Sequence, residues 1–175
     1  MITKKEHIIK YFKSGIKNTS KFKIGIEHEK FIFDLNTNKR INYKTIIKMF
    51  KCLYEFGWTP IFENKNIIGL KKYDKNITLE PGNQIELSGE KLNNIHEACS
   101  ESNDYLFEIK QVIKKLNLKI ISAGFDPISK LSEIPNNPKL RYEIMTKDMP
   151  NRGKLSLDMM YRTCGTQLNL DYNSE

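Results

Sequence analysis

The sequence predicts an α+β fold in which helices pack against an antiparallel sheet. Runs of alternating apolar and polar residues, typical of half-buried strands, occur between longer runs whose apolar residues have helical spacing. Three of the strand-like runs follow one another with very few residues between them, as expected for antiparallel neighbours. The 175 residues contain no internal repeat and no linker, so one α+β unit is expected.

In the first half of the chain, two helices flank a strand and three short strands follow. Apolar spacing predicts helices over Lys4–Lys13 and Tyr43–Phe56, and Gly57 is placed to cap the second helix. The intervening run Lys21–Asp34 alternates as a strand does. The three following strands are predicted at Thr59–Glu63, Ile67–Tyr73 and Asn76–Ser88, the last of them bent at Pro81-Gly82-Asn83.

The second half begins with the longest predicted helix, Leu92–Leu116. Its inward stripe is expected to consist of Ile95, Cys99, Leu106, Ile109, Val112 and Ile113. The segments that follow are a strand over Lys119–Phe125, a proline-marked loop over Asp126–Pro138 and a short helix over Lys139–Met149. Leu155–Tyr172 is expected to be mostly extended. Its last residues alternate, with Leu168, Leu170 and Tyr172 on one side and Gln167, Asn169 and Asp171 on the other.

The composition is that of a folded protein with a basic surface. Hydrophobic residues make up 39% of the chain and the net charge is +8. Most of the basic residues are lysines scattered along the chain, which indicates solvated surfaces rather than a nucleic-acid-binding patch. No run reaches the ~18 apolar residues of a membrane span, and the first residues contain no signal-peptide core. A cytosolic, bacterial-type protein without a membrane partner is therefore expected.

The three cysteines form neither a metal-binding nor a disulfide pattern. Cys52, Cys99 and Cys164 show no CxxC pair and no paired spacing with histidine, so a zinc site is not predicted. An odd number of cysteines in a cytosolic chain is typical of free thiols. Cys99 falls on the inward stripe of the long helix and is expected to pack in the core.

Two strand-like runs each place a pair of carboxylates on one face, and the first is Gly25-Ile-Glu-His-Glu-Lys-Phe31. The period-two rule puts Glu27 and Glu29 on the same side of this strand. His28 lies on the opposite side, where it is expected to be a structural residue rather than a ligand.

The second run is Ile77-Thr-Leu-Glu-Pro-Gly-Asn-Gln-Ile-Glu-Leu-Ser-Gly89. Its apolar residues form one side, so Glu80, Gln84 and Glu86 share the polar one. Four acids that converge on a sheet repel one another unless a cation lies among them, and hard divalent cations prefer oxygen ligands. The pattern predicts a metal site suited to phosphate chemistry, and the alternative is a solvated sheet face.

These two acidic runs and three later segments form a recognisable series. The later segments are Pro138-Lys-Leu-Arg-Tyr-Glu-Ile-Met145, Leu157-Asp-Met-Met-Tyr-Arg-Thr-Cys164 and Gln167-Leu-Asn-Leu-Asp-Tyr172. In this order and spacing, from about Ile24 to the last residue, they closely resemble glutamate–cysteine ligase of the plant and alphaproteobacterial type. Asn83 stands where that family usually carries a second glycine. If the position has a positive φ, asparagine is the next-best residue after glycine, so the turn is expected to be kept.

The resemblance implies a glutamine-synthetase-like catalytic fold, in which a curved antiparallel sheet holds ATP, metal ions and substrates. It also implies the first step of glutathione synthesis. ATP phosphorylates the γ-carboxylate of L-glutamate, and the amine of L-cysteine attacks the acyl phosphate to give γ-glutamylcysteine. The implied small molecules are therefore glutamate, cysteine, ATP as co-substrate and Mg²⁺.

The implied site residues fall in the segments quoted above. The predicted ligands of Mg²⁺ are Glu27, Glu29, Glu80 and Glu86. The predicted catalytic cations, which clamp a substrate carboxylate or stabilise the transferring phosphoryl group, are Arg162 and Arg141. The predicted substrate-binding residues are Thr163, Gln167 and Asn169. For Arg141 the alternative is an ion pair with Glu143 or another acid, and for Gln167 and Asn169 it is a solvated sheet face.

The resemblance covers only the N-terminal portion of the family, whose members are well over twice as long. Residues 1–175 are predicted to be the N-terminal part of a single glutamate–cysteine ligase catalytic domain with an apparently incomplete sheet. Such a chain is expected to have little or no activity alone, and a second polypeptide that supplies the missing part is an expected partner. The alternatives are another carboxylate–amine ligase, a non-catalytic remnant or interaction protein, and a nucleic-acid-binding module.

Overall fold

A computed structural model describes residues 2–174 and shows seven strands and five α-helices within that range. The strands are β1 (Ile24–Asp34), β2 (Thr59–Glu63), β3 (Asn66–Lys72), β4 (Lys75–Leu79), β5 (Ile85–Ser88), β6 (Leu118–Ile121) and β7 (Thr166–Leu170). The helices are α1 (Lys5–Lys13), α2 (Tyr43–Leu53), α3 (Ile95–Lys115), α4 (Leu140–Asp148) and α5 (Ser156–Arg162). No helix in this range is long and apolar enough to cross a bilayer.

The long strand β1 organises the sheet. The strand order is β2-β3-β4-β5-β1-β6, and β7 also pairs with β1. All of these pairings are antiparallel, which confirms the predicted α+β class. Glu27 and His28 pair with β5 and with β7, so β1 is flanked on both sides where it carries its acids. The first acidic run therefore lies inside the sheet rather than at its edge.

One face of the sheet is covered by α2 and α3. Their buried residues, such as Phe50 and Ile109, form one apolar core with Ile85 and Leu87 of β5. Burial of each such side chain contributes about 1.5–3 kcal/mol. Because side chains alternate along a strand, this core directs Glu86 to the opposite face.

The predicted inward stripe of α3 is wrong at the start of the helix. Ile95 is 68% exposed and Cys99 is also exposed, so Cys99 does not pack in the core. The buried face here contains Ala98 and Glu101 instead. Glu101 is stable inside because its carboxylate accepts the backbone N–H of Glu90 at 2.9 Å. The inward positions at the start of α3 therefore include a carboxylate with a backbone partner, and not the apolar residues that the pattern predicts.

The extended structure predicted over Leu155–Tyr172 is wrong for its first part. Residues Ser156–Arg162 form α5, and only Thr166–Leu170 is a strand. The apolar residues Leu157, Met160 and Tyr161 have helical spacing and pack together beside α4. Arg162 therefore ends a helix instead of lying on a strand. The strand predicted at Lys119–Phe125 is also shorter, since β6 ends at Ile121.

A short 3₁₀ turn over Pro81–Asn83 joins β4 to β5. Asn83 has a φ of 64°, in the left-handed region that asparagine tolerates better than most residues. Gln84 alternates with the core residue Ile85 and so lies on the same face as Glu86, as predicted, but it is covered there by the end of α5. Gln84 is 1% exposed, and its amide donates to the carbonyls of Tyr161 and Thr163 at 3.2 Å each.

A buried arginine ties this turn to the rest of the fold. The side chains of Arg40 and its ion-pair partner Asp126 are both fully buried, with 3.0 Å between their charged groups. The guanidinium also donates to the carbonyl oxygen of Gly82 at 2.5 Å and to the side-chain oxygen of Gln84 at 2.8 Å. It lies 4.7 Å from the centre of the Phe31 ring. One side chain thus fixes the turn relative to β1 and to the loop that follows β6.

Replacing Arg40 by methionine is expected to lower the free energy of unfolding by about 3–5 kcal/mol, because Asp126 would remain buried without its cation. Urea denaturation followed by circular dichroism measures this loss. Lys147→Met is the matched control, since Lys147 pairs with Glu143 on the exposed face of α4 and an exposed pair contributes about 1 kcal/mol or less. Equal losses in the two variants would contradict the proposed importance of Arg40.

Candidate active site

The four acids predicted as metal ligands lie together on the face opposite α2 and α3. Glu29 on β1 is directly opposite Glu86 on β5, and Glu27 follows on the same side of β1. The hydroxyl of Thr78 lies 3.0 Å from the carboxylate of Glu80 and 3.2 Å from that of Glu86. The sheet therefore brings acids from both sequence runs into one cluster, which we term the acid cluster (Glu27, Glu29, Glu80 and Glu86).

The carboxylates of this cluster disfavour one another's charge. Burial raises the pKa of Glu29, and the charges of Glu80 and Glu27 raise it further, although a bond from a backbone N–H opposes the shift. Burial likewise raises the pKa of Glu86, with added repulsion from the other three acids. A cation bound beside these partly buried carboxylates would favour their charged forms.

The acids on β1 and β5 have neutral partners. Among the described residues, no lysine or arginine forms an ion pair with Glu27, Glu29 or Glu86. Glu27 accepts the side-chain amide of Asn169 at 3.1 Å, Glu29 accepts a backbone N–H at 2.5 Å, and Glu86 accepts the hydroxyl of Ser88 at 2.8 Å. The negative charge of this part of the cluster is therefore not compensated by the chain.

The donor set fits a magnesium ion that is shared with a phosphate. Within residues 2–174, no three carboxylate, histidine or cysteine side chains come close enough together to hold a metal ion by themselves. Mg²⁺ is usually held by one or two carboxylates together with water and substrate phosphate oxygens, rather than by a cage of protein ligands. Paired carboxylates such as Glu29 and Glu86 suit this mode of binding.

Glu80 lies at the basic end of the cluster. The hydroxyl of Tyr142 donates a hydrogen bond to its carboxylate, and the Nζ atom of Lys139 lies 3.9 Å from it. Burial lowers the pKa of Lys139, while the charge of Glu80 raises it. Lys139 also donates to the carbonyl of Leu79 at 2.6 Å, so its ammonium is fixed in position.

Arg141 lies at the rim of the same end. Its guanidinium is 3.9 Å from Glu80 and stacks 4.8 Å from the centre of the Tyr142 ring. Its alternative partner Glu143 pairs instead with Lys147 at 2.6 Å. The Arg141 side chain is 66% exposed, so several of its N–H donors remain accessible to a ligand.

A pocket of about 360 Å³ opens between the sheet, α4 and α5. The predicted site residues that line it are Glu29, Glu80, Arg141, Thr163 and Gln167. The apolar part of its wall consists of Met145, Met149, Met159 and Met160. Methionine side chains are flexible and adapt to the shape of a ligand. The pocket, which we term the acid pocket, thus combines anions, a cation and neutral donors on one side with an adaptable apolar wall on the other.

Arg162 does not line the acid pocket. Its guanidinium donates to Asp158 at 2.9 Å and to the carbonyl of Asp126 at 3.2 Å, and it stacks 4.3 Å from the centre of the Phe125 ring. These contacts hold the end of α5 to the loop after β6. The structure therefore leaves Arg162 apart from the acid cluster, and its catalytic role stays a prediction.

The other two polar residues of the predicted last strand lie in two different places. Asn169 lies outside the acid pocket but contacts the acid cluster through Glu27. Asp171 faces away from the cluster, because its carboxylate forms an ion pair with Lys17 at 2.5 Å and accepts the backbone N–H of Lys23 at 2.9 Å. Only the first of these residues extends the polar face toward the site.

Sequence reasoning missed two residues of the site, Tyr142 and Lys139, although both belong to a segment that it quoted. Tyr142 is 3% exposed, and a buried tyrosine in a short helix is usually assigned to the core. Burial raises the pKa of its phenol, which keeps the group a proton donor to Glu80 at neutral pH. The signal that could have found both is their position beside the charged Arg141, in a short segment that follows Pro138.

The raised pKa values of Glu29 and Glu86 predict how stability depends on pH without metal. A carboxyl group whose pKa is raised in the folded state stabilises the fold below its ordinary pKa, and this contribution is lost as pH rises through the folded-state pKa. Glu29→Gln/Glu86→Gln is therefore expected to be more stable than the wild type at pH 7, by about 0.5–1 kcal/mol, and to lose less stability between pH 4.5 and 7. Urea denaturation in EDTA measures this. An unchanged pH dependence would contradict it, and the exposed Glu55→Gln is the control.

The sequence is similar to several curated plant proteins. It is 44% identical over 172 residues to the chloroplastic glutamate–cysteine ligase of Nicotiana tabacum and 44% identical to that of Medicago truncatula. It is 45% identical to glutamate–cysteine ligase A, chloroplastic, of Oryza sativa subsp. japonica. Each match covers 98% of this chain but 33%, 34% and 35% of these relatives, respectively. The chain therefore spans about a third of the length of the curated relatives that it matches.

The names of these relatives correct one expectation. All three are chloroplastic proteins, so the cytoplasmic location predicted from the sequence is wrong. The family model described as glutamate-cysteine ligase family 2 (GCS2) matches residues 23–175, which is most of the chain and includes the whole acid cluster. The chain belongs to glutamate–cysteine ligase family 2.

Proposed function

We propose that this chain forms the glutamate- and Mg²⁺-binding part of an ATP-dependent glutamate–cysteine ligase with a glutamine-synthetase-like fold. The observation that carries the proposal is the acid pocket, which is lined by the uncompensated Glu29 and by Arg141. Lys139 adds positive charge next to Glu80, just outside the pocket lining. The relatives are about three times as long, so the chain is proposed to supply only part of the activity. The rest is proposed to come from polypeptide equivalent to the remainder of the relatives.

The proposed reaction begins by bringing two anions together, the γ-carboxylate of glutamate and the γ-phosphate of ATP. Mg²⁺ held by Glu29 and Glu86, with Glu27 and Glu80 beside them, would neutralise phosphate oxygens and hold the phosphate in line for attack. Oxygen ligands on neighbouring strands of one sheet are rigidly placed, which suits this positioning. The acid cluster is thus proposed to act through the placement of charge.

The cationic end of the pocket is proposed to bind the amino-acid substrate. Arg141 offers a planar, accessible guanidinium that can form two parallel hydrogen bonds with a substrate carboxylate. Lys139 is fixed by its bond to Leu79 and supplies a second positive charge near Glu80. Thr163 and Gln167 also line the pocket and supply neutral hydrogen-bonding groups.

The second step is attack by the amine of cysteine on the acyl phosphate, which releases phosphate and forms the amide bond. The acyl phosphate reacts with water as well as with the amine, so the site must exclude water. The four methionines of the pocket are the part of this chain suited to that task. The alternative within enzymes is another carboxylate–amine ligase that uses a different amine.

The metal proposal predicts a loss of cation binding that is independent of activity. Mn²⁺ is a paramagnetic substitute for Mg²⁺, and its binding to the wild-type chain in the presence of ATP can be followed by electron paramagnetic resonance. Glu29→Gln/Glu86→Gln is expected to weaken binding at least tenfold, because two oxygen ligands lose their charge. The control is Glu55→Gln, because Glu55 is exposed and does not line the pocket. Its affinity for Mn²⁺ should remain within twofold of the wild type. Equal binding in all three proteins would favour a solvated sheet face.

The activity proposal is tested by ADP release from the purified chain with ATP, Mg²⁺ and glutamate, with and without cysteine. Low release is expected from so short a chain, and any cysteine-stimulated part should disappear in Glu27→Gln. Rapid cysteine-dependent turnover would show that 175 residues contain a complete site. Stimulation by another amine would favour a different ligase, and no release above Glu27→Gln would favour the non-catalytic alternative.

A further inference from the structure

The sheet has a gap between β6 and β7, on one side of β1. Strand β6 pairs with β1 from Phe31 onward, and β7 pairs with it as far as His28. In the described part of the chain, Glu29 and Lys30 lie between these two strands without a strand partner on this side. Successive side chains of a strand point to opposite faces, so a cavity lined by both residues lies in the gap itself.

Such a cavity, of about 320 Å³, occupies the gap. We term it the strand notch (Glu29, Lys30, Ser122, Ala123, Gly124 and Thr166). Glu29 lines the acid pocket as well, together with Cys164 and Gly165, which also line both cavities. The strand notch is therefore the direct neighbour of the acid pocket, on the other side of these three residues.

Main-chain hydrogen bonds fix the shape of the strand notch. The N–H of Cys164 donates to the carbonyl of Gly124 at 3.3 Å, which ties the loop after β6 to the segment before β7. The N–H of Glu29 donates to the carbonyl of Gly165 at 3.0 Å, and the N–H of Gly165 donates to the carboxylate of Glu29 at 2.5 Å. The walls are thus set by backbone pairing on both sides of the gap.

The residues of the strand notch carry hydrogen-bond donors that the described chain does not use. Within residues 2–174, Lys30 forms no ion pair and its ammonium donates to no other residue. The hydroxyls of Ser122 and Thr166 and the backbone N–H groups of Ala123 and Gly124 also have no acceptor there. Successive backbone N–H groups and a lysine are features of sites that bind phosphate.

The number of these donors favours a phosphate group over a carboxylate. A carboxylate has two oxygens with about four lone-pair sites, whereas the strand notch offers five donor groups. A phosphate group has at least three strongly accepting oxygens. A water molecule takes about 30 Å³ in the liquid, so the strand notch has room for a phosphate group and several waters. The acidic residue that lines it is Glu29, whose repulsion of an anion a bound cation would cancel.

We propose that the strand notch binds a phosphate-type oxyanion, which is either the inorganic phosphate that the ligation releases or the terminal phosphate of the nucleotide. Lys30 supplies the positive charge, and the donors of Ser122, Ala123, Gly124 and Thr166 orient the phosphate oxygens. The inference rests on the proposed function for the source of the phosphate and for the Mg²⁺ beside Glu29. The donors themselves belong to this chain and do not depend on that function.

The test is a titration of the nitrogen-15-labelled chain with inorganic phosphate in the presence of Mg²⁺, followed by amide chemical shifts in NMR. The amide signals of Ala123 and Gly124 are expected to shift, because phosphate oxygens accept their N–H groups. Lys30→Met should weaken phosphate binding at least about tenfold, since a hydrogen bond to a charged group is lost. Lys71→Met, which removes an exposed lysine on β3, should remain within about twofold of the wild type.

A second variant removes donors without changing charge. Ser122→Ala/Thr166→Val should weaken phosphate binding about threefold or more, and unchanged amide spectra away from the strand notch establish that each variant is folded. Shifts in the wild type that occur at Arg141 and Gln167 but not at Ala123 and Gly124 would place the phosphate in the acid pocket and contradict the inference. Equal affinities of the wild type and Lys30→Met would also contradict it.

The Glu29→Gln variant separates this inference from the proposed function. In EDTA it should bind phosphate more tightly than the wild type, because a repelling charge beside the strand notch is removed. The wild type should bind phosphate more tightly in Mg²⁺ than in EDTA. Phosphate shifts at the strand notch that are the same in Mg²⁺ and EDTA would support the inference and contradict the proposed metal site. Mn²⁺ binding at the acid cluster without phosphate shifts at the strand notch would do the reverse.

Nucleotides distinguish the two sources of phosphate. If a non-hydrolysable ATP analogue shifts the Ala123 and Gly124 amides and inorganic phosphate competes with it, the strand notch holds the terminal phosphate of the nucleotide. If inorganic phosphate shifts these amides in saturating ADP and the analogue does not, the strand notch holds the released product. Both results support an oxyanion site, and no shift with either ligand would overturn it.

Discussion

The site depends on the burial of the Arg40 guanidinium. A buried charge is costly unless it is paired and fully hydrogen-bonded, and here one guanidinium contacts Asp126, Gly82 and Gln84. Gln84 in turn reaches the carbonyls of Tyr161 and Thr163. The turn that follows Glu80 and the end of α5 are therefore held by the same network. This network sets the distance between the acidic sheet and the helices that form the other wall of the pocket.

The acid cluster destabilises the fold locally, and the network around Arg40 must compensate for this. Burial and mutual repulsion raise the pKa values of Glu29 and Glu86, so the folded state without a cation is less stable than it would be with neutral residues there. Such conflicts between local charge and global stability are typical of functional sites. Glu80 is the exception, because Tyr142 and Lys139 give it donors and positive charge. Positive side chains of the described residues therefore lie near Glu80, whereas the acids on β1 and β5 have no cationic partner.

Periodicity was sufficient to predict the acid cluster, because each pair of carboxylates lies on a regular strand. It failed where regular structure is interrupted. Gln84 lies on the face of the acids but is buried there against the end of α5, which no local pattern indicates. Helix α5 is itself too short for its pattern to be distinguished from a strand. Cys99 was misplaced because Glu101, with a backbone partner, occupies the inward position. Tertiary contacts, which no local pattern contains, decided each of these cases.

The two walls of the acid pocket differ in how they are built. The wall formed by α4 and α5 is closed by its own small apolar cluster around Tyr142 and Tyr161. The sheet wall has a core beneath β5 and the centre of β1, but the core ends before β7. Residues Gln167 and Asn169 are therefore held only by strand pairing with β1 and by one side-chain bond. Residues that must orient a substrate or a metal ion need rigid support, so the paired Glu29 and Glu86, on strands that lie over the core, are the more precisely placed groups of this wall.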